Sequence, residues 1–114
     1  MKLQVTNGWT TLSSNNPKVK NEEQKTLLLP SKKSIVLGNT EKADIRLHDP
    51  RLPPNTQLVL QEKEKETTFK TNIEPVDILR AYPNSVTLKP GASCELQKGD
   101  LIEVFHQAYI FKVL

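Results

Sequence analysis

The sequence predicts an all-β fold, a sandwich of about eleven short, mostly antiparallel strands. Two observations carry this expectation. Short apolar or alternating runs recur at roughly ten-residue spacing, separated by Pro, Gly and Asn. Helix-forming patterns are nearly absent; the one helix-friendly polar stretch is 21–25.

The strands follow in order. Residues 2–6 alternate inward and outward side chains, and 26–29 and 34–37 are short apolar runs around Pro30. Residues 44–47 alternate again, and 56–61, Thr-Gln-Leu-Val-Leu-Gln, read as a buried strand. Runs at 67–71, 76–81, 85–89 and 94–96 come next, and 101–105 and 109–113 close the chain. Glu62, Lys63, Glu64, Lys65 and Glu66 lie between two strand runs and read as a charged hairpin tip. Residues 7–24, with Gly8, Asn15, Asn16 and Pro17, read as one long polar loop. Gly99-Asp100 reads as a hairpin turn between 94–96 and 101–105.

The 114 residues are predicted to form a single domain. The apolar strand run at the end, with no polar tail after Leu114, suggests an N-terminal fragment of a longer protein. No apolar run approaches the ~20 residues of a membrane helix, so no membrane partner is expected. Cys94 is the single cysteine, which excludes an internal disulfide and a cysteine-based zinc site. With no signal-peptide pattern at the start, a reducing cytosolic or nuclear compartment is expected.

Sixteen basic residues face thirteen acidic ones, and the net charge of +3 is spread along the chain. Arginine occurs only at Arg46, Arg51 and Arg80, and the Lys18, Lys20 and Lys25 cluster is interrupted by Glu22 and Glu23. With 5% aromatics, this argues against a nucleic-acid surface. His48 and His106 stand apart from each other and from Cys94, and the four glycines are scattered. No nucleophile–base set, metal-ligand spacing or phosphate loop results, so neither enzyme activity, a metal nor a cofactor is expected.

Two stretches, taken together, resemble the forkhead-associated (FHA) family. The first contains Ile35-Val36-Leu37-Gly38-Asn39, Ala43-Asp44-Ile45-Arg46-Leu47 and Asp49-Pro50-Arg51-Leu52. The second is Leu96-Gln97-Lys98-Gly99-Asp100-Leu101-Ile102-Glu103-Val104. Between them, Asn84-Ser85-Val86-Thr87-Leu88 looks like a worn Asn-Gly-Thr motif. The resemblance implies a sandwich that binds phosphothreonine peptides through loops at one end. It also implies where this chain departs. The family's phosphate-binding arginine stands as Asn39, its phosphate-binding serine as Pro53, its loop-bracing histidine as Thr56, and its Asn-Gly as Asn84-Ser85. Proline offers neither a hydroxyl nor an N–H. Losing the arginine and serine removes about 3–5 kcal/mol of charge-assisted binding, so phosphopeptide is not the expected partner.

The resemblance further implies a protein–protein module that dimerises or assembles a scaffold, as in nuclear DNA-damage mediators of the mediator-of-DNA-damage-checkpoint type. Candidate interface residues are Trp9, Leu12, Phe105, Tyr109 and Phe111, with the last strand as a free edge. Burial in the sandwich is the competing fate for Trp9 and Phe111. The alternative function is phosphopeptide binding at a rebuilt site using Arg51 and Arg46, helped by Asn39 and Asn84.

Overall fold

The computed structural model describes residues 1–31 and 34–114. Among the described residues thirteen strands form two sheets, more than the sequence predicted. They are β1 (Lys2–Asn7), β2 (Leu12–Ser14), β3 (Lys20–Glu22), β4 (Thr26–Leu28), β5 (Ser34–Gly38), β6 (Ile45–Leu47) and β7 (Gln57–Lys63). Then come β8 (Glu66–Thr71), β9 (Val76–Leu79), β10 (Val86–Leu88), β11 (Ser93–Glu95), β12 (Leu101–Val104) and β13 (Tyr109–Val113). The seven-stranded sheet runs β10-β9-β12-β13-β1-β4-β3, and the six-stranded sheet runs β11-β8-β7-β5-β6-β2. All neighbours are antiparallel except β5 and β6, which pair in parallel at Leu37–Ile45 and Gly38–Arg46.

Alternation builds the core. Leu3 and Val5 of β1, Leu58 and Leu60 of β7, and Ile102 and Val104 of β12 are buried, while the residues between them face outward. One apolar cluster joins both sheets. Among the described residues, every buried side-chain nitrogen and oxygen has a hydrogen-bond partner.

The long polar loop of the sequence reading is structured. A 3-10 turn covers Trp9–Thr11, β2 pairs with β6, and β3 pairs with β4. Both strands are three residues long and form sheet edges, so they carry little inward-facing signal. The last strand is not an edge: β13 lies between β12 and β1. Gly99-Asp100 does not close a hairpin either. The strands it joins, β11 and β12, belong to opposite sheets, and Gly99 (φ 90) lets the chain turn between them. The charged tip is a hairpin, with Lys63 opposite Glu66 and Glu64 in the left-handed region at φ 51.

That crossover is clasped by an ion pair. Arg80 follows β9 and its side chain is 8% exposed; Asp100 precedes β12 and is 1% exposed. Arg80 Nε donates to Asp100 Oδ1 at 3.1 Å, and its Nη2 donates to Asp100 Oδ2 and to the Glu95 carbonyl. Burial pulls the Arg80 guanidinium down, but Asp100 and Cys94 more than reverse this, leaving it raised above its ordinary value. Cys94 is half-buried, with Sγ 3.6 Å from Arg80 Nη2.

Candidate functional site

The registers set which loops share an end of the sandwich. Gly38 ends β5 opposite Gln57, the first residue of β7, and Leu58 lies opposite Thr71, the last residue of β8. The β5–β6, β6–β7 and β8–β9 loops therefore meet at one end. They bring Gly38, Asn39, Arg51, Pro53 and Thr56 together.

These side chains bind one another. Asn39 Nδ2 donates to the Pro53 carbonyl at 2.8 Å, and Asn39 Oδ1 accepts the Thr56 N–H at 2.9 Å. The Thr56 hydroxyl donates to the same Pro53 carbonyl at 2.6 Å. Thr56 is fully buried. Both functional atoms of Asn39 thus face the backbone of the next loop, and the three residues form a closed hydrogen-bonded knot.

Gly38 is not explained by a left-handed turn. A Cβ there would lie 2.4 Å from the Thr56 carbonyl oxygen. Glycine is needed because the two backbones touch beside the knot. Gly38→Ala is expected to lower stability by about 1–3 kcal/mol, measured by denaturant unfolding, with faster amide exchange at Thr56. An unchanged exchange rate contradicts the close approach.

Arg51 is exposed, but its guanidinium is engaged. Its Nε and Nη2 donate to the Asp49 carboxylate, and its backbone N–H donates to Asp49 Oδ1 at 2.9 Å. The Arg51 hydrogen bonds hold the Asp49 carboxyl below its ordinary 3.8. Arg46 stands on β6 opposite Ser13 of β2. Ser13 Oγ and His48 Nε2 share a 2.7 Å hydrogen bond. A shallow cleft of about 250 Å³ runs past Asn39, Arg46, His48, Asp49 and Leu52.

Asn84 and Ser85 are not part of this end. β9 begins beside the β8–β9 loop, so the β9–β10 loop that carries Asn84 and Ser85 lies at the opposite end. There Ser85 Oγ binds the backbone of Arg80. The asparagine beside the knot is Asn72, which the sequence reading missed. Its Oδ1 accepts the Gln57 N–H at 2.7 Å, and its Nδ2 donates to the Asn55 carbonyl at 2.8 Å. Its signal was an asparagine directly after a strand and shortly before Pro75.

The candidate interface residues turn inward. Tyr109 and Phe111 are 0% and 1% exposed. They belong to the core, their rings stacked 6.1 Å apart. Trp9, Leu12 and Phe105 are half-buried and pack against that core. His106 lies on the surface, far from the Ser13–His48 pair in sequence, with its ring edge-on to Phe105. Among the described residues, no group of His, Cys, Asp or Glu has the arrangement to hold a metal ion. No protein-family model, curated protein or solved structure matches the chain.

Proposed function

We propose that this chain is a non-enzymatic protein–protein interaction module, FHA-like in its loops, in which the phosphothreonine pocket has been converted into a structural brace. Its partner surface lies elsewhere, and self-association is the interaction it mediates. The observation that carries this reading is the Asn39–Pro53–Thr56 knot. The three positions where the resemblance expects arginine, serine and histidine bond to one another and offer a phosphate no directed donor.

The rebuilt-site alternative has less support. Arg51 is held by Asp49, and Asn84 lies at the far end of the sandwich. A phosphate would meet only the Arg51 donors that Asp49 leaves over, and would bring a dianion beside the Asp49 carboxylate.

Titration of the chain with a phosphothreonine peptide library, followed by backbone amide shifts, tests the reading. The expected result is no saturable, phosphate-dependent shift in the loops around Asn39 and Arg51. A phosphate-dependent affinity tighter than about 10 μM, abolished by Arg51→Ala, contradicts it and favours the rebuilt site.

A further inference from the structure

The outer face of the seven-stranded sheet carries apolar residues that the core does not use. Leu79 of β9 and Leu101 of β12 lie directly opposite each other, and Ile110 of β13 lies opposite Glu103 of β12. All three are half-buried and alternate with buried core residues along their strands. None is among the partly buried residues that pack against the core. Together they form a short apolar diagonal across the three strands β9, β12 and β13.

Charge flanks this diagonal with opposite signs. On one side Asp77 and Glu103 are register partners. On the other stands Lys112, opposite Leu101, with Lys2 of the neighbouring β1 beyond it. Among the described residues, Asp77, Glu103 and Lys112 make no ion pair.

The geometry of a sheet makes this pattern self-complementary. Strands lie about 4.8 Å apart, and successive residues on one face about 7 Å apart. A two-fold axis lying in the face along the Leu101–Ile110 line brings each of these residues against its own copy. The same axis carries Glu103 to within about 3 Å of the position of Lys112 in the second copy. Asp77 then falls beside Gln4 of that copy, next to Lys112, while Lys2 beyond it already pairs with Glu22 at 3.0 Å. The Glu103 carboxylate of each copy thus meets the Lys112 ammonium of the other, and the apolar diagonal is covered in the middle. A standard interface removes about 800 Å² per partner, which one face of a body 34 × 28 × 24 Å accommodates. The outer face of the six-stranded sheet has a valine pair, Val36 opposite Val59, with Lys70 beside Val59, but the acid beside Val36, Asp44, is already engaged by the Val36 N–H at 2.8 Å and by Asn16.

We propose that two copies of this chain pair face to face through the outer surface of the seven-stranded sheet. Leu79, Leu101 and Ile110 form the centre, and the Glu103–Lys112 contact occurs twice around the axis. The inference rests on the self-association reading above and gives it a surface.

Charge reversal tests it on the intact chain by sedimentation equilibrium. Glu103→Lys places two like pairs in the dimer, and so does Lys112→Glu. Each variant alone is expected to dimerise roughly tenfold to a hundredfold more weakly than the wild type. An equimolar mixture of the two variants is expected to recover a mixed dimer, because both contacts become attractive again. That recovery also shows that both variants fold. Variants that dimerise as tightly as a dimeric wild type overturn this surface and leave self-association standing. Variants that are weakened but do not recover on mixing also overturn it. A wild type that stays monomeric at every concentration overturns the surface and the self-association reading together.

Discussion

Asp100→Ala is expected to lower the unfolding free energy by about 3–5 kcal/mol, because it leaves the buried Arg80 guanidinium without its counter-charge. The Asp100 carboxylate accepts from Arg80 and from the Gln97 N–H, at 2.8 Å for the latter. Arg80 also reaches the Glu95 carbonyl on β11. The pair therefore ties the start of β12 in one sheet to the end of β11 in the other. With typical domain stability at about 5–15 kcal/mol, this loss brings the variant close to unfolding. Replacing both partners, as in Arg80→Met with Asp100→Leu, is expected to cost much less than Asp100→Ala alone, because no charge is then left buried. Denaturant midpoints at constant slope measure both effects. A loss below about 1 kcal/mol for Asp100→Ala contradicts a buried, structural pair.

The second large effect is at Tyr109. Tyr109→Ala is expected to cost about 3–5 kcal/mol, the range for emptying a core aromatic site. An interface residue would instead leave monomer stability nearly unchanged, so the variant separates the two roles. Tyr109→Phe isolates the hydroxyl, which donates to the Thr11 carbonyl at 3.1 Å and lies 2.7 Å from the Thr11 hydroxyl. The Thr11 carbonyl keeps the His48 N–H at 2.7 Å, so the loss is about 1 kcal/mol. Burial, with the charge of Asp49, raises the Tyr109 hydroxyl above its ordinary 10.0, against the hydrogen bond with Thr11. The folded state therefore holds this proton more tightly than the unfolded state. That stability is fully present below pH 10.0 and is lost as pH rises through the folded-state value. Tyr109→Phe is expected to remove this part of the alkaline destabilisation, seen in unfolding curves on either side of that pH.

Much of the fold was legible because its long strands alternate. β1, β7 and β13 show period-two patterns that local sequence alone reveals. β2 and β3 were not legible. Leu-Ser-Ser turns a single residue, Leu12, to the core and Lys-Asn-Glu turns none, so neither shows an alternating pattern, and they become strands by pairing with β6 and β4. Period two puts Tyr109 and Phe111 on one face of β13, but does not say whether that face is core or surface. The answer depends on where β13 sits in the sheet, and its central position makes that face the core.

The candidate site was legible by position and not by role. Asn39, Pro53 and Thr56 stood out as departures from a phosphate pocket. Their mutual hydrogen bonds depend on two loops meeting, which no local pattern encodes. Gly38 is a similar case: its reason is the Thr56 carbonyl on another strand, not its own turn. Asn84-Ser85 has only a local likeness to a motif, and the topology places it at the opposite end. Asn72 had no motif around it, yet the β7–β8 register places it beside Thr56.

In the proposed function the loops are a brace and the chain pairs with itself, so its mass in solution depends on concentration. The decisive quantity is that mass, measured across a wide concentration range. Sedimentation equilibrium is expected to give a concentration-dependent mass that rises to twice the 12.9 kDa of the chain. The association should weaken in high salt, because charged pairs flank its centre. A mass that stays at 12.9 kDa up to the highest soluble concentration contradicts the account.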